Sequence, residues 1–590
     1  MTRRPPIPVP APDPGRSGRR LPFPPVAAFA AAFLASAAMA ARAAAPVLDQ
    51  LHPVALQAGT TRDVAAVGKF DPWPVSAWVS GDGVRVEVLS DKGSLRVVVA
   101  TNAVPGPRLV RLFNAEGASA PRFLVVADEP QADEAEPNDD FRSPQVVTNL
   151  PASLNGRLEK TGDVDSYAVD LAAGATLVAA VEAHVLMSPV DAVLRVLDPD
   201  GRQAAWNHDD GRTFDPFLAF TANRPGRHVV QVFGFAYPAE SDIRFTGNAK
   251  CTYRLHLTTG PALSHTTPLG VRRGGRTGLT PAGWNLGVDG AKPVEFDGSG
   301  LEDGVDRLPW RPKGFRLPFE LAVGDGPEEV EAEPNGTRSE ARTLPVPAAV
   351  TGDLSRADDE DRYRFAAKKG ERYAISVRSA GFGFPLDSWL RLEGPDGRNL
   401  VRKDDDAGSD PRIEWTAAAD ETLTAVVGNL LHRGGTNLLY RLEIRKDVPR
   451  LEATVAEHAF TIAAGATNEV KVSLRRLGGH EGPVRLVAEG LPPGVTLGKA
   501  EWGAKDAEVV ARLVASTNAA AFQGPVRLRT ETEEPSKPAT VPVRHELVSS
   551  GENNGVPQGF RRLRIEALEA LWLTVTAPKA ESEPKSEKKP

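Results

Sequence analysis

Two short segments carry residues suited to holding a hard cation, Glu134-Ala-Glu136-Pro-Asn138 and Glu331-Ala-Glu333-Pro-Asn335. Along an extended backbone alternate side chains project to the same side. Glu134, Glu136 and Asn138, and likewise Glu331, Glu333 and Asn335, can therefore share one edge. Pro137 and Pro334 discourage helix in the glutamate before them. Further on, Asp163 and Asp165, and Asp359 and Asp361, repeat the two-residue spacing just ahead of a strand-like run. Docking each acidic segment on its Asp-x-Asp turn gathers four carboxylates and an amide oxygen. Calcium takes about six to eight oxygens in loose geometry, so this donor set suits one ion. An acidic linker that water solvates, with aspartates capping turns, uses the same residues. Composition alone favours the solvated linker; repetition in two modules weighs towards the cation, together with the wider pattern described below.

Other chemistry is sparse. His545-Glu546 and His480-Glu481 open like zinc-protease motifs, but neither is followed by the second histidine that zinc needs. No Gly-x-Ser-x-Gly elbow or phosphate-binding loop is present. A Ser-His-acid triad would have to draw on ten scattered histidines, of which His208 beside Asp209 is the best placed. Asn207-His208-Asp209-Asp210 and Asp404-Asp405-Asp406 lack the frame of a helical calcium loop and read as surface turns. Cys251 is the single cysteine and reads as a small buried hydrophobe in a strand. Trp206, Trp389, Trp415, Phe382 and Phe384 suit either a binding face or sandwich cores.

The elements that must position these residues are strands. At 590 residues the chain exceeds one core, and its 54 Gly and 51 Pro interrupt short alternating runs. A long internal repeat organises it. Glu134 to Gly174 and Glu331 to Gly370 share acidic-Pro-Asn, a Gly-x-Leu turn, an Asp-x-Asp-x-Tyr strand and a Gly turn. The match continues through Pro199-Asp-Gly201 and Pro395-Asp-Gly397, then Asp215-Pro216 and Asp410-Pro411. Ahead of each copy, Pro53 to Arg62 resembles Pro268 to Thr277. The expected architecture is all-β, a multi-domain array of β-sandwiches. It places immunoglobulin-like units at 46–128 and 261–326 (the latter short), repeat modules at 129–260 and 327–446, and an immunoglobulin-like β unit at 447–576. A disordered tail follows at 577–590.

The order Glu-x-Glu-Pro-Asn, Gly-x-Leu, Asp-x-Asp-x-Tyr resembles the bacterial pre-peptidase C-terminal domain, in two copies. That resemblance implies jelly-roll-like sandwiches accompanying secreted peptidases, with calcium bound in collagenase relatives. It places the calcium ligands on the same two elements and adds an acidic residue after the Asn. Asp139 supplies it in the first copy; Gly336 departs from it in the second.

Residues 1–45 read as an export signal. Arg16, Arg19 and Arg20 precede an apolar stretch from Val26 to Met39, and Ala38-Met39-Ala40 suits cleavage. No other segment could span a membrane, so the mature chain is expected to have no integral span. Cleavage at 40 removes five Arg and one Asp, moving the net charge from −7 to about −11, against a nucleic-acid partner. The expected protein is secreted and non-catalytic. It binds an extracellular protein or polysaccharide polymer through calcium-stabilised modules. An accessory or degenerate member of a secreted peptidase system, or a structural envelope protein without a ligand, remain alternatives.

Overall fold

The computed structural model describes residues 44–210, 213–237, 244–287, 291–406, 408–532, 539–549 and 563–578. The expected export signal up to residue 43, and the expected tail from residue 579, lie outside the described residues. The described chain is almost entirely strand and turn, as the short alternating runs require. No helix among the described residues is long and apolar enough to cross a membrane.

Each acidic segment opens a pair of five-stranded sheets, and the strand order is the same in both pairs. In the first pair, one sheet runs Ala132–Asp133, Ala152–Arg157, Thr252–Thr258, Thr176–Glu182, Phe217–Thr221. The other runs Gln145–Val146, Asp165–Leu171, Gly226–Ala236, Val190–Leu197, Gln203–Asn207. In the second pair the corresponding sheets begin Glu328–Val330, Ala348–Asp353, Leu439–Lys446 and Arg342–Thr343, Glu360–Ala367, Glu421–Asn429. Alternation buries one face of every central strand. Leu154, Tyr167, Leu177, Leu194, Val230 and Leu255 fill the first core, and Val350, Tyr363, Ile375, Leu390, Val427 and Leu442 the second.

The remaining strands form sandwiches of other sizes. Val47–His52, Thr61–Lys69, Ser94–Val99 and Val84–Val88 make one sheet before the first module. Its companion contains Ala55–Gln57, Arg122–Ala127, Gly106–Asn114 and Ser76–Val79. Two three-stranded sheets lie between the modules, over 262–324. The repeated Pro53 and Pro268 segments enter matching positions, since Ala55–Gln57 and Gly270–Arg272 each pair in parallel with a later strand. After the second module an eleven-stranded sheet spans 450–576. Its last strand, Leu571–Thr576, pairs with Ala459–Ala463 and Phe522–Thr532. Trp572 also reaches the first sandwich, its ring 4.9 Å from that of Phe113.

One expectation fails. The Gly-x-Leu element is strand at its glycine rather than a turn, because Gly156 and Gly352 lie inside Ala152–Arg157 and Ala348–Asp353. Glycine is needed there for close approach. A Cβ on Gly156 would sit 2.1 Å from Tyr253 Cζ, and one on Gly352 2.1 Å from Glu331 Oε2. Gly156→Ala should therefore destabilise the first module by about 1–3 kcal/mol, as overpacking of a filled core does. Gly278→Ala, where a Cβ meets nothing within 4 Å, should change stability by less than about 0.5 kcal/mol. Denaturant unfolding of the two variants checks both.

Candidate metal centre

The acidic segment is the passage from one sheet of each module to the other. Ala132–Asp133 pairs in parallel with Leu154–Asn155, and the Glu134 N–H extends that ladder to Asn155 O at 2.9 Å. Eleven residues on, Gln145–Val146 pairs with Tyr167–Ala168 in the opposite sheet. The passage thus crosses the sandwich end where Arg157 leaves one sheet and Asp165 enters the other. Ser166 N–H donates to Asn138 O (3.2 Å) and fixes the crossing to the Asp-x-Asp element. In the second module Glu331 N–H to Thr351 O (2.9 Å) and Arg362 N–H to Asn335 O (3.2 Å) do the same.

The carboxylates lie in two layers, not along one edge. Oxygens of Glu136, Asp139 and Asp163 lie within 4.8 Å of one another, as do oxygens of Glu333, Asp359 and Asp361. Glu134 turns inward instead. Its Oε2 accepts from the Arg157 N–H (2.8 Å) and from the hydroxyls of Tyr253 (3.2 Å) and Tyr167 (3.4 Å). Tyr253 also donates to Asp165 Oδ2 at 2.5 Å. The second module repeats the set: Glu331 accepts from Asp353 N–H (3.0 Å), Tyr363 and Tyr440 (both 3.4 Å). Tyr440 donates to Asp361 Oδ2 at 2.5 Å. An even row was expected because side chains alternate; the buried tyrosine pair draws the first glutamate inward while the second stays exposed.

Burial makes the inner layer costly. Asp163, Asp165 and Asp361 are fully buried, and Asn138 and Asn335 nearly so. Asn138 Oδ1 and Nδ2, Asp163 Oδ1 and Asp165 Oδ1 have no hydrogen-bond partner, nor do Asn335 Oδ1 and Asp361 Oδ1. Buried oxygens without donors are rare in folded proteins and cost free energy. Desolvation, then the nearby Glu134 charge, pushes the Asp165 carboxyl up to about 10. Desolvation raises Glu134 to about 7, and desolvation with Asp139 raises Asp163 to about 6. In the second module Asp361 rises to about 9 and Glu331 to about 7, both chiefly by burial.

Basic side chains offset part of this charge from the rim. Lys160 Nζ lies 2.7 Å from Asp139 Oδ2 and 3.5 Å from Asp163 Oδ1. Arg356 Nη2 is 3.4 Å from both Glu333 Oε1 and Asp359 Oδ1. Both are largely exposed, which limits their contribution, and Asp165 Oδ1 and Asp361 Oδ1 stay without a hydrogen-bond partner. Carboxylate and amide oxygens, with no imidazole or thiolate, fit a hard cation such as calcium.

Several participants escaped the sequence reading. Tyr253 and Tyr440 sit in a repeated Tyr-Arg-Leu (Tyr253 to Leu255, Tyr440 to Leu442) that could have revealed them. Asp353 stands where the first module has Arg157; its carboxyl is raised by burial and by Asp359 and Glu333. It brings a further carboxylate to the module whose Gly336 replaces Asp139. Cys251 is buried and free, as expected. Of the aromatic candidates, Trp389 and Phe382 are buried, Trp415 and Phe384 pack against cores, and Trp206 is 59% exposed.

Among the described residues, a Ser-His-acid arrangement forms without His208. Ser153 Oγ lies 3.0 Å from His256 Nδ1, and His256 Nε2 lies 3.3 Å from Glu182 Oε2. Ser153 is 2% exposed on a strand, so no substrate carbonyl can approach its hydroxyl. Arg254 bridges Glu182 and Glu129, and Arg316 from the 262–324 unit reaches Glu129. The group is a polar seam between units.

No family model and no curated protein matches the chain. Among solved structures it is similar to the pre-peptidase C-terminal domain of Bacillus anthracis collagenase, at 15% identity. That likeness covers 20% of this chain and 100% of that one, with a TM-score of 0.16. Fibronectin(III)-like modules of Clostridium thermocellum CbhA match at 14% identity over 30% of this chain and 86% of theirs, with a TM-score of 0.11. Domains 1–6 of the surface layer protein SbsC match at 11% identity over 86% of this chain and 55% of that one, with a TM-score of 0.14. These likenesses concern β-sheet architecture alone.

The raised carboxyls set a sign for pH dependence. Glu134 and Asp163 have folded values of about 7 and about 6, against roughly 4 in an unfolded chain. The folded state then binds more protons, so this contribution is fully present near pH 4 and is lost as pH rises through 6 to 7. Cation-free protein should therefore melt at lower temperature at pH 7.5 than at pH 5, and Asp165→Asn should flatten the decline. Thermal melts in chelator across that range measure it.

Proposed function

We propose that the chain is an exported, non-catalytic modular protein, extracellular, at the cell surface or in the periplasm. Its two repeat modules each hold one structural calcium ion, and it engages an extracellular protein or polysaccharide polymer. The observation that carries this reading is the duplicated set of buried oxygens without partners, enclosed by carboxylates at the same end of two sandwiches. Glu136, Asp139, Asp163, Asp165 and Asn138 would hold the first ion. Glu333, Asp359, Asp361 and Asn335, with Asp353 nearby, would hold the second. Each ion would neutralise the stacked carboxylates and tie the crossing segment to the core strand behind it. Glu134 and Glu331, with the tyrosine pairs, position the inner aspartates from below. The buried Ser153 and the acidic mature chain support a role in binding over hydrolysis or nucleic-acid recognition. Trp206, exposed on the edge strand Gln203–Asn207, is the aromatic placed to contact a polymer.

A ligand present at a hundred times its dissociation constant stabilises the native state by about 2.7 kcal/mol. Millimolar calcium should therefore raise the melting temperature by several degrees over chelator. Glu136→Gln with Asp163→Asn should remove the first module's share of that rise. Identical melts in calcium and chelator would contradict the proposal. Binding to immobilised gelatin, cellulose and peptidoglycan, with and without chelator, tests the polymer. Trp206→Ala should weaken retention on whichever is bound.

A further inference from the structure

The acidic centres do not exhaust the clustered donors in the first module. Asp191 lies on the strand Val190–Leu197, two strands across the sheet from Asp165, and His208 and Asp209 follow the edge strand Gln203–Asn207. One ligand atom from each of the three lies within 4.8 Å of the others. The sequence alone reads His208-Asp209 as a surface turn, because Asp191 is brought to it only by the pairing of the two strands.

Two features separate this group from an ordinary acidic turn. Asp191 Oδ1 and His208 Nε2 lie 3.1 Å apart as an ion pair, with both atoms buried. An enclosed carboxylate and imidazole at that separation can be bridged by one ion once the imidazole gives up its proton. Zinc bonds of about 2.0–2.2 Å in tetrahedral geometry hold neighbouring ligand atoms roughly 3.3 Å apart, close to this separation. The second feature is His184, within electrostatic reach of Asp191. It is 3% exposed, and both its ring nitrogens lack partners. Phe214 and Tyr237 hold its ring edge-on, with centroids 4.8 and 4.6 Å away.

The second module supplies an internal comparison. Aligned through the Pro-Asp-Gly turns, its residues at these positions are Ala380 for His184, Asp387 for Asp191, Asp404 for His208 and Asp405 for Asp209. The carboxylates recur and both imidazoles are absent. Imidazole with carboxylate favours a first-row transition dication over calcium.

We propose that Asp191, His208 and Asp209 form a zinc-class metal site in the first module, separate from the acidic centre, with one coordination position left open. Cobalt(II) is the probe, because its visible absorption reports donor type and geometry. The full chain, stripped with chelator and returned to calcium-containing buffer, should take up one cobalt per chain with micromolar affinity. Zinc should displace it. His208→Asp, which copies the second module, should abolish the absorption band while leaving the calcium-dependent melt intact. Asp191→Asn should weaken uptake by about 100-fold or more, and Glu136→Gln should leave it unchanged. No saturable cobalt or zinc uptake, uptake that survives His208→Asp, or uptake lost in Glu136→Gln would each overturn the proposal.

Discussion

Everything in the two repeat modules turns on one constraint: carboxylates that the fold buries at a sandwich end must find compensation there. The strands themselves impose the burial. Asp165 and Asp361 begin central strands whose next inward residues, Tyr167 and Tyr363, are fully buried core. Their aspartates cannot turn to water without unpairing the strand. Tyr253 and Tyr440, lying over glycines on the neighbouring strand, donate to one oxygen of each and leave the other without a partner. The crossing segment then closes the end, adding two glutamates and an asparagine to a place already short of positive charge. Lys160 and Arg356 answer part of that deficit from outside. A cation within the cluster would answer the rest.

The duplication shows which parts of this arrangement are structural and which are adjustable. The tyrosine pair, the inner aspartate, the buried asparagine and the glycine beneath the tyrosine recur. The outer layer changes: Asp139 gives way to Gly336, and Asp353 appears where the first module has Arg157. A cation whose coordination tolerates irregular geometry accommodates such exchange more readily than one demanding fixed angles.

Much of the fold was legible because it rests on period and punctuation. Alternating apolar residues, Pro-Asp-Gly turns and the ordered repeat were enough to read an all-β array, and the strands bear that out. The site was legible as a residue set but not as a shape. Spacing predicts which side of an extended chain a carboxylate takes; it says nothing about depth. That Glu134 sinks to the tyrosines while Glu136 stays at the rim depends on the register between Ala152–Arg157 and Thr252–Thr258, about a hundred residues apart. The Gly-x-Leu misreading has the same origin. Glycine marks turns locally, whereas Gly156 answers to a ring on another strand. Ser153, His256 and Glu182 likewise meet only through strand pairing, so His208 stood out in sequence while the closer histidine did not.

The central claim is most directly tested by counting calcium. Protein freed of metal and then titrated by calorimetry at neutral pH should bind two calcium ions per chain. Asp165→Asn should leave one and Asp165→Asn with Asp361→Asn none. A chain that binds no calcium, or binds it equally well in the double variant, would contradict the account.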